Sequence, residues 1–176
     1  MLIIFIFVVM ANVLWDEMIK CKQDYFYSLY LLEYKKNARK QFAMVTLVIS
    51  GVCGVICWII SQSYFRSALI VVCLFQCFRV LEPKFVADIT ELPKLKRLID
   101  FYSDYYNTLE QLWYGQRNHT LKYEEVKAKF DINEDYRIEI NSLIEELINK
   151  NFRPALYDKA VVDAEEYLHG IANKPA

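Results

Sequence analysis

The residues with the most potential for chemistry are four cysteines that form two pairs at helical spacing. Cys53 and Cys57 are one helical turn apart, as are Cys73 and Cys77, so each pair would line one face of a helix. If the two faces met, four thiols could form a redox or metal cluster. Small side chains at this spacing are more typical of close packing between helices, and this interpretation is favoured. Three further small residues support it: Ser50, Gly51 and Gly54.

Gln76 is the one strongly polar side chain deep in the second apolar stretch. In lipid an amide needs a hydrogen-bonding partner, so Gln76 is expected to face another helix or another subunit. A ring of such side chains in an oligomer could line a narrow pore. A hydrogen bond between two helices is the favoured interpretation.

The sequence contains no recognisable catalytic pattern. His119 and His169 lack metal-ligand spacing, and four glycines in the whole chain leave no glycine-rich phosphate loop. Paired glutamates recur on outward helical faces, where Glu146 and Lys150 are expected to form an i,i+4 ion pair. We therefore expect no enzyme activity, no metal and no cofactor.

Composition divides the 176-residue chain into an apolar front part and an ordinary soluble remainder. Residues 1–82 carry 8 basic and 5 acidic residues, whereas residues 83–176 carry 13 and 17. The basic excess thus accompanies the apolar segments, where it would face anionic lipid. The acidic remainder lacks a basic stripe, which argues against duplex nucleic acid as a partner. Five cysteines, mostly in apolar runs, do not indicate a secreted disulfide framework.

The segment 42–60, FAMVTLVISGVCGVICWII, is uncharged. As a helix it would extend about 28 Å, close to the thickness of a bilayer's hydrocarbon core. A second apolar run, 64–81, follows a short polar turn and predicts an antiparallel partner. Together they predict a transmembrane hairpin, residues 42–82, with both flanks cytoplasmic by the positive-inside rule. The basic residues expected at the lipid interface are Lys35, Lys36, Arg39, Lys40, Arg66 and Arg79.

Two segments precede the predicted hairpin. Residues 1–15 are apolar but short for a span, without the basic start of a signal peptide. They are expected to form an interfacial or partly inserted helix, unless translation starts at Met10. Residues 16–41 contain no proline or glycine and predict one amphipathic cytoplasmic helix that continues into the first span.

Residues 83–176 predict a small cytoplasmic helical domain. A helix from Pro93 to Gly115 should bury an aromatic and aliphatic face. Thr120 should cap a short helix that ends before a polar break at 131–135. A further helix over 136–152 and a last one from Pro154 to Gly170 complete an all-α prediction. The packing face of the first of these helices is represented by Leu98, Tyr102, Tyr105, Leu109 and Trp113.

This layout resembles the SLATT family of two-transmembrane proteins, which accompany nucleotide-signalling systems in bacteria. The resemblance rests on a tyrosine-rich helix with a basic end (YFYSLYLLEYKKNARKQF), the tight hairpin, a proline after the second span (VLEPKF) and the helix LIDFYSDYYNTLEQLW. The apolar N-terminal segment and a single arginine, Arg39, in the first of these helices depart from the pattern.

The resemblance implies a bacterial inner-membrane effector of an anti-phage or other conflict system. Such a protein would form a homo-oligomer in the bilayer and breach it when a protein partner or nucleotide second messenger arrives. A membrane anchor whose helical domain docks a partner protein, without forming a pore, is the alternative. Replacing Gln76 with leucine would separate the two.

Overall fold

The structure, a computed structural model, describes residues 2–60, 90–118 and 120–172. Over these residues the chain forms helices and no strands, which confirms the all-α prediction. The helices are α1 (Leu2–Ile60), α2 (Glu91–Arg117), α3 (Tyr123–Leu147) and α4 (Pro154–Ala172), and a short 3₁₀ helix, Asn149–Asn151, precedes α4. The predicted second span, 64–81, lies outside the described residues.

The chain divides into two compact units. The first consists of Met1–Leu31 together with Pro93–Ala176, and the second of Leu32–Leu92. In the first unit α2, α3, α4 and the first half of α1 contribute to a helical bundle. The second unit contains the remainder of α1 and, among its described residues, the start of α2.

The bundle of the first unit has an aromatic and aliphatic core. On α2, the 3/4 spacing of apolar residues places Leu98, Tyr102, Tyr105 and Leu109 in the interior, while Trp113 is half-buried. The other helices add further buried residues to this unit: Leu14, Met18, Tyr27, Val126, Leu147, Ala160, Ala164 and Leu168. Alanines on α4 allow its backbone to approach its neighbours closely, because they add little side-chain volume.

The helix α1 runs without interruption from the apolar N-terminal segment, through residues 16–41, to Ile60. This sequence contains no proline, and its first glycine is Gly51. The chain therefore lacks the residues that most strongly end helices over its first fifty positions. The apolar N-terminal segment and the predicted helix over 16–41 therefore belong to one continuous helix.

The predicted break at 131–135 is wrong, because α3 continues through it from Tyr123 to Leu147. Polar residues alone do not end a helix, and this segment contains neither glycine nor proline. The start of α3 also differs from the prediction. The Glu125 carboxylate accepts a hydrogen bond from the Lys122 N–H at 3.3 Å, whereas the Thr120 hydroxyl donates back to the Gly115 carbonyl at 3.1 Å.

Gly115 lies inside α2 rather than at its end, since the helix continues to Arg117. Its role is a close approach between two segments. A Cβ atom built at position 115 would lie 2.4 Å from Cδ1 and 2.8 Å from Cγ of Leu121. Glycine thus lets the chain fold back over the end of α2, where Leu121 N–H donates to the Gly115 carbonyl at 3.2 Å.

The expected Glu146–Lys150 pair is not the ion pair that the structure shows. Glu146 instead accepts from the Lys94 ammonium at 2.8 and 3.1 Å, which connects α3 to the first turn of α2. Both side chains are more than 40% exposed, so this contact is expected to stabilise the bundle by less than about 1 kcal/mol.

Candidate functional site

The second unit presents an apolar helical surface to its surroundings. On α1, Leu47 is 74% exposed, Met44 64% and Val48 59%. Val45, Ile49, Val52 and Val55 are exposed as well. Within the described residues, one helical segment, Ala11–Val55, is long and apolar enough to cross a membrane, and its most apolar part has no residue buried in the structure.

Polar groups within this surface are satisfied locally or are small. The Thr46 hydroxyl donates to the Phe42 carbonyl at 2.7 Å, one helical turn earlier. Such back-bonding satisfies a hydroxyl without water. Ser50 is exposed, and a Cβ atom at Gly51 or Gly54 would meet no atom of the described residues within 4 Å. The small-residue positions therefore leave room on this part of α1 for a neighbouring helix.

The basic residues before the apolar segment do not behave alike. Lys36 and Lys40 are exposed and Arg39 is half-exposed, as an interface with lipid headgroups would require. Lys35 differs from that expectation, because its side chain is only 8% exposed and its ammonium pairs with the Glu91 carboxylate. The reason is helical periodicity: Lys35 lies one turn beyond the buried Leu31.

Several predicted site residues fall outside the described residues. These are Arg66, Cys73, Gln76, Cys77 and Arg79, and the side chain of Cys57 belongs with them. Cys53 is a half-buried free thiol. The predicted meeting of the two cysteine pairs and the predicted role of Gln76 therefore both stay predictions.

Comparison of this chain with family models, with the curated proteins and with the solved structures gives no match. The resemblance to the SLATT family thus rests on the layout of the sequence alone.

The first unit has a polar and aromatic seam between α1 and α4. The Tyr27 hydroxyl accepts from the Arg153 N–H at 3.0 Å, and the Tyr30 hydroxyl donates to the Asp163 carboxylate. The Lys159 ammonium lies 4.2 Å from the centre of the Tyr30 ring. Sequence periodicity did not reveal this seam, because the partners are more than 100 residues apart in the chain.

A lysine side chain enters the bundle where α1, α2 and α4 meet. The Lys22 ammonium lies 3.9 Å from the centre of the Tyr167 ring and 4.2 Å from that of Tyr106. Burial lowers the pKa of Lys22, although the neighbouring Glu110 carboxylate opposes this effect. Only the local part of this site could have been found from sequence, since Tyr25 and Phe26 follow Lys22 at helical spacing.

The pKa values of two tyrosines beside this lysine are raised. Burial raises the pKa of Tyr106 strongly, and the negative charge of Glu110 adds to the effect. Burial likewise raises the pKa of Tyr167. The Tyr106 hydroxyl is buried and has no hydrogen-bond partner among the described residues. The ring of Tyr106, rather than its hydroxyl, therefore carries its contacts at this junction.

Two other features bear on chemistry. A cleft of about 660 Å³ lies at the connection between α2 and α3. Its lining includes Tyr114, Asn118, Leu121 and Lys129. Among the described side chains, no group of three or more His, Cys, Asp or Glu residues is placed to hold a metal ion.

Proposed function

We propose that this chain is a non-enzymatic bacterial inner-membrane effector whose apolar helices oligomerise in the bilayer and permeabilise it. A protein partner or a nucleotide signal at the helical bundle would trigger the change, as the resemblance to SLATT proteins implies. Both flanks of the hairpin would lie in the cytoplasm. The observation that carries the membrane part of this proposal is the exposure of the apolar side chains of α1 between positions 44 and 55.

A surface of this kind is unfavourable in water. Continuous apolar patches beyond a few hundred Å² are rare on soluble monomers and mark contacts with protein or membrane. Large side chains are exposed at consecutive positions, 44 and 45 and then 47 to 49, and so point in different directions around the helix. A bilayer covers a helix on all sides, whereas a single protein partner covers one face. Lipid is therefore the favoured surrounding.

Oligomerisation is supported by the small residues of the same segment. Helices in lipid associate through close packing at small side chains, and glycines permit the closest approach of backbones. Among the described residues nothing packs against Gly51 or Gly54, and Ser50 beside them is exposed. A second helix, from this chain or another copy, could pack there.

A membrane anchor that docks a partner protein is the second candidate function. The tightly joined bundle of the first unit favours it, because hydrogen bonds and ring contacts fasten α4 to α1. A bundle of this kind could present a fixed surface to a partner without any pore.

Membrane insertion is tested by placing a charge on the exposed apolar surface. The variants Val48→Arg and Val48→Arg/Val52→Arg should weaken retention of the chain in membranes during alkaline carbonate extraction. Each arginine near the centre of a span costs about 2.5–3.5 kcal/mol. Gln41→Arg is the matched control, since position 41 is exposed on the same helix just before the apolar segment. Retention of the double variant equal to that of Gln41→Arg would show that this segment is not what holds the chain in the membrane.

Permeabilisation is tested by induced expression in a bacterium, with growth and entry of a membrane-impermeant dye as readouts. Dye entry in the presence of the triggering signal, lost in Gln76→Leu while the variant remains in the membrane fraction, would support the effector. Retention in the membrane with an intact barrier under every condition would favour the anchor. The two experiments separate insertion from pore formation, because the first can succeed where the second fails.

A further inference from the structure

Four aromatic rings surround the ammonium group of Lys22. The ring centres of Tyr167 and Tyr106 are 3.9 and 4.2 Å away, and those of Tyr25 and Phe26 are 5.0 and 5.6 Å away. All four lie within the roughly 6 Å at which a cation is attracted by the face of an aromatic ring. We refer to these four rings as the Lys22 cage.

The cage is assembled from three helices. Tyr25 and Phe26 belong to α1, as Lys22 does, whereas Tyr106 comes from α2 and Tyr167 from α4. The rings also contact each other, since Tyr167 meets Phe26 and Tyr106 edge to face at 6.4 and 6.0 Å between ring centres. An ammonium group at the centre therefore touches every helix that forms the cage.

The ammonium group of Lys22 contacts aromatic rings and is not paired directly with an anion among the described residues. Lys22 is half-buried, so its attraction to the rings is less weakened by water than at an exposed site. Glu110 acts on both Lys22 and Tyr106 through its charge, yet no ion pair joins it to Lys22. The buried Tyr106 hydroxyl lacks a hydrogen-bond partner among the described residues, which leaves the ring face as the functional part of that side chain.

We propose that the Lys22 cage is an alkylammonium-binding site which the chain fills with its own lysine, and that this internal ligand fastens α4 to α1 and α2. The cage recognises a positively charged, methylene-bearing nitrogen by the faces of its rings. Removing the lysine side chain leaves a site for a small quaternary ammonium ion. This inference concerns the first unit and does not depend on the proposed membrane function.

A contact elsewhere in the same unit provides an internal comparison. Lys159 lies over one ring, that of Tyr30, at 4.2 Å. A single ring gives a weaker attraction than four. Removing the charge of Lys22 is therefore expected to weaken the packing of α4 on its neighbours more than removing the charge of Lys159 does.

The first test measures amide hydrogen exchange of α4 in the full-length chain, held in a maltoside detergent that carries no ammonium group. In Lys22→Met and Lys22→Ala, exchange across Pro154–Ala172 should be about 5- to 30-fold faster than in the unaltered chain, the range expected when a cation–π contact is lost. Lys22→Arg should retain most of the protection. Lys20→Ala is the matched control, because Lys20 is exposed on the same helix.

The second test asks whether the emptied cage binds an external ammonium ion. Choline should raise the melting temperature of Lys22→Ala and slow the exchange of α4, while leaving the unaltered chain unchanged. The neutral isostere of choline, in which a tert-butyl group replaces the trimethylammonium, should have little effect, and so should sodium chloride. Equal rescue by choline and its isostere would mean that the site responds to volume alone, and would overturn the proposal.

A further pair of variants covers the case in which Lys22→Ala does not fold. Tyr167 is 42% exposed, so changes there are better tolerated. Tyr167→Phe retains a ring face and should keep α4 protected, whereas Tyr167→Leu should speed its exchange to the level of Lys22→Met. Unaltered protection of α4 in both Lys22→Met and Tyr167→Leu would refute the role of the cage.

Discussion

The hydroxyl of Tyr27 accepts a hydrogen bond from the main-chain N–H of Arg153, with 3.0 Å between the two heavy atoms. Arg153 directly precedes α4, and its carbonyl accepts from the N–H groups of Leu156 and Tyr157. Pro154, the first residue of α4, has no N–H of its own. Tyr27 on α1 thus binds the main chain at the point where α4 begins.

Tyr27→Phe should lower the free energy of unfolding by about 0.5–1.5 kcal/mol, the usual contribution of one hydrogen bond. The substitution removes the acceptor but keeps the ring, which lies 5.7 Å from the Phe152 ring and 5.9 Å from that of Tyr157. Denaturant unfolding of the full-length chain, with hydrogen exchange at the start of α4, measures the effect. Unchanged stability with unchanged exchange would show that this bond contributes nothing.

Unlike Tyr27→Phe, Tyr106→Phe should not lower the free energy of unfolding. The bundle should be equally stable or more stable. The Tyr106 hydroxyl is buried without a hydrogen-bond partner among the described residues, and such a group costs about 1–3 kcal/mol. The phenylalanine ring retains its face toward Lys22. The same unfolding measurement checks the prediction, and a clear loss of stability would reveal a partner for the hydroxyl.

Alkaline pH should destabilise the bundle through three tyrosines whose pKa is raised in the folded chain. Burial raises the pKa of Tyr27, Tyr106 and Tyr167 above the ordinary value of 10.0. In the unfolded chain these phenols lose their protons near this ordinary value, while the folded chain keeps them. The folded state then binds more protons, so its stability falls as the pH rises above about 10.

Lys22 contributes to the pH dependence of stability in the opposite direction to the tyrosines, because burial lowers its pKa below 10.5. Between its folded and unfolded pKa values the unfolded chain binds more protons, and stability rises with pH. After burial, the charges that raise the pKa of Tyr106 are those of Glu110, Tyr167, Cys21 and Tyr114. Unfolding at a series of pH values should show a shallower alkaline decline in Tyr106→Phe than in the unaltered chain. Identical slopes would contradict the assignment of this decline to Tyr106.

The extent to which the sequence predicts these features depends on how local they are. The buried face of α2, including Leu98 and Tyr102, follows from repeated 3/4 spacing within one helix. The predicted break in α3 is wrong, because Asp131, Asn133 and Asp135 disfavour a helix only weakly and the segment contains no glycine or proline. Contacts such as that of Lys22 with Tyr167 join distant segments, and periodicity within each helix carries no information about which of its neighbours it meets.

The effect of Gly115→Ala on the free energy of unfolding should depend on the residue at position 121: destabilising beside leucine and stabilising beside alanine. Alone, the new Cβ would lie 2.4 Å from Leu121 Cδ1, so Leu121 must move, and overpacking of this kind costs about 1–3 kcal/mol. The gain in helix propensity, about 1 kcal/mol, offsets part of that cost. With Leu121→Ala as background, the clash disappears and Gly115→Ala should stabilise α2. A double-mutant cycle from denaturant unfolding measures this coupling, and additive effects would contradict the close approach.

Glu91→Gln should destabilise the second unit more than the double variant Glu91→Gln/Lys35→Met does. The Lys35 side chain is 8% exposed and its carboxylate partner 24% exposed, so removing the negative charge leaves a nearly buried ammonium without an ion-pair partner. Breaking a fully buried pair costs about 3–5 kcal/mol, and the partial exposure of Glu91 places this pair below that range. Replacing lysine by methionine keeps most of the apolar stem and removes the charge that needs compensation. In detergent, the melting temperature of the double variant should therefore be higher than that of Glu91→Gln. Lys36→Met is the control, because Lys36 is exposed on the same helix. A lower melting temperature of the double variant would mean that other groups compensate the charge of Lys35 when Glu91 is neutralised.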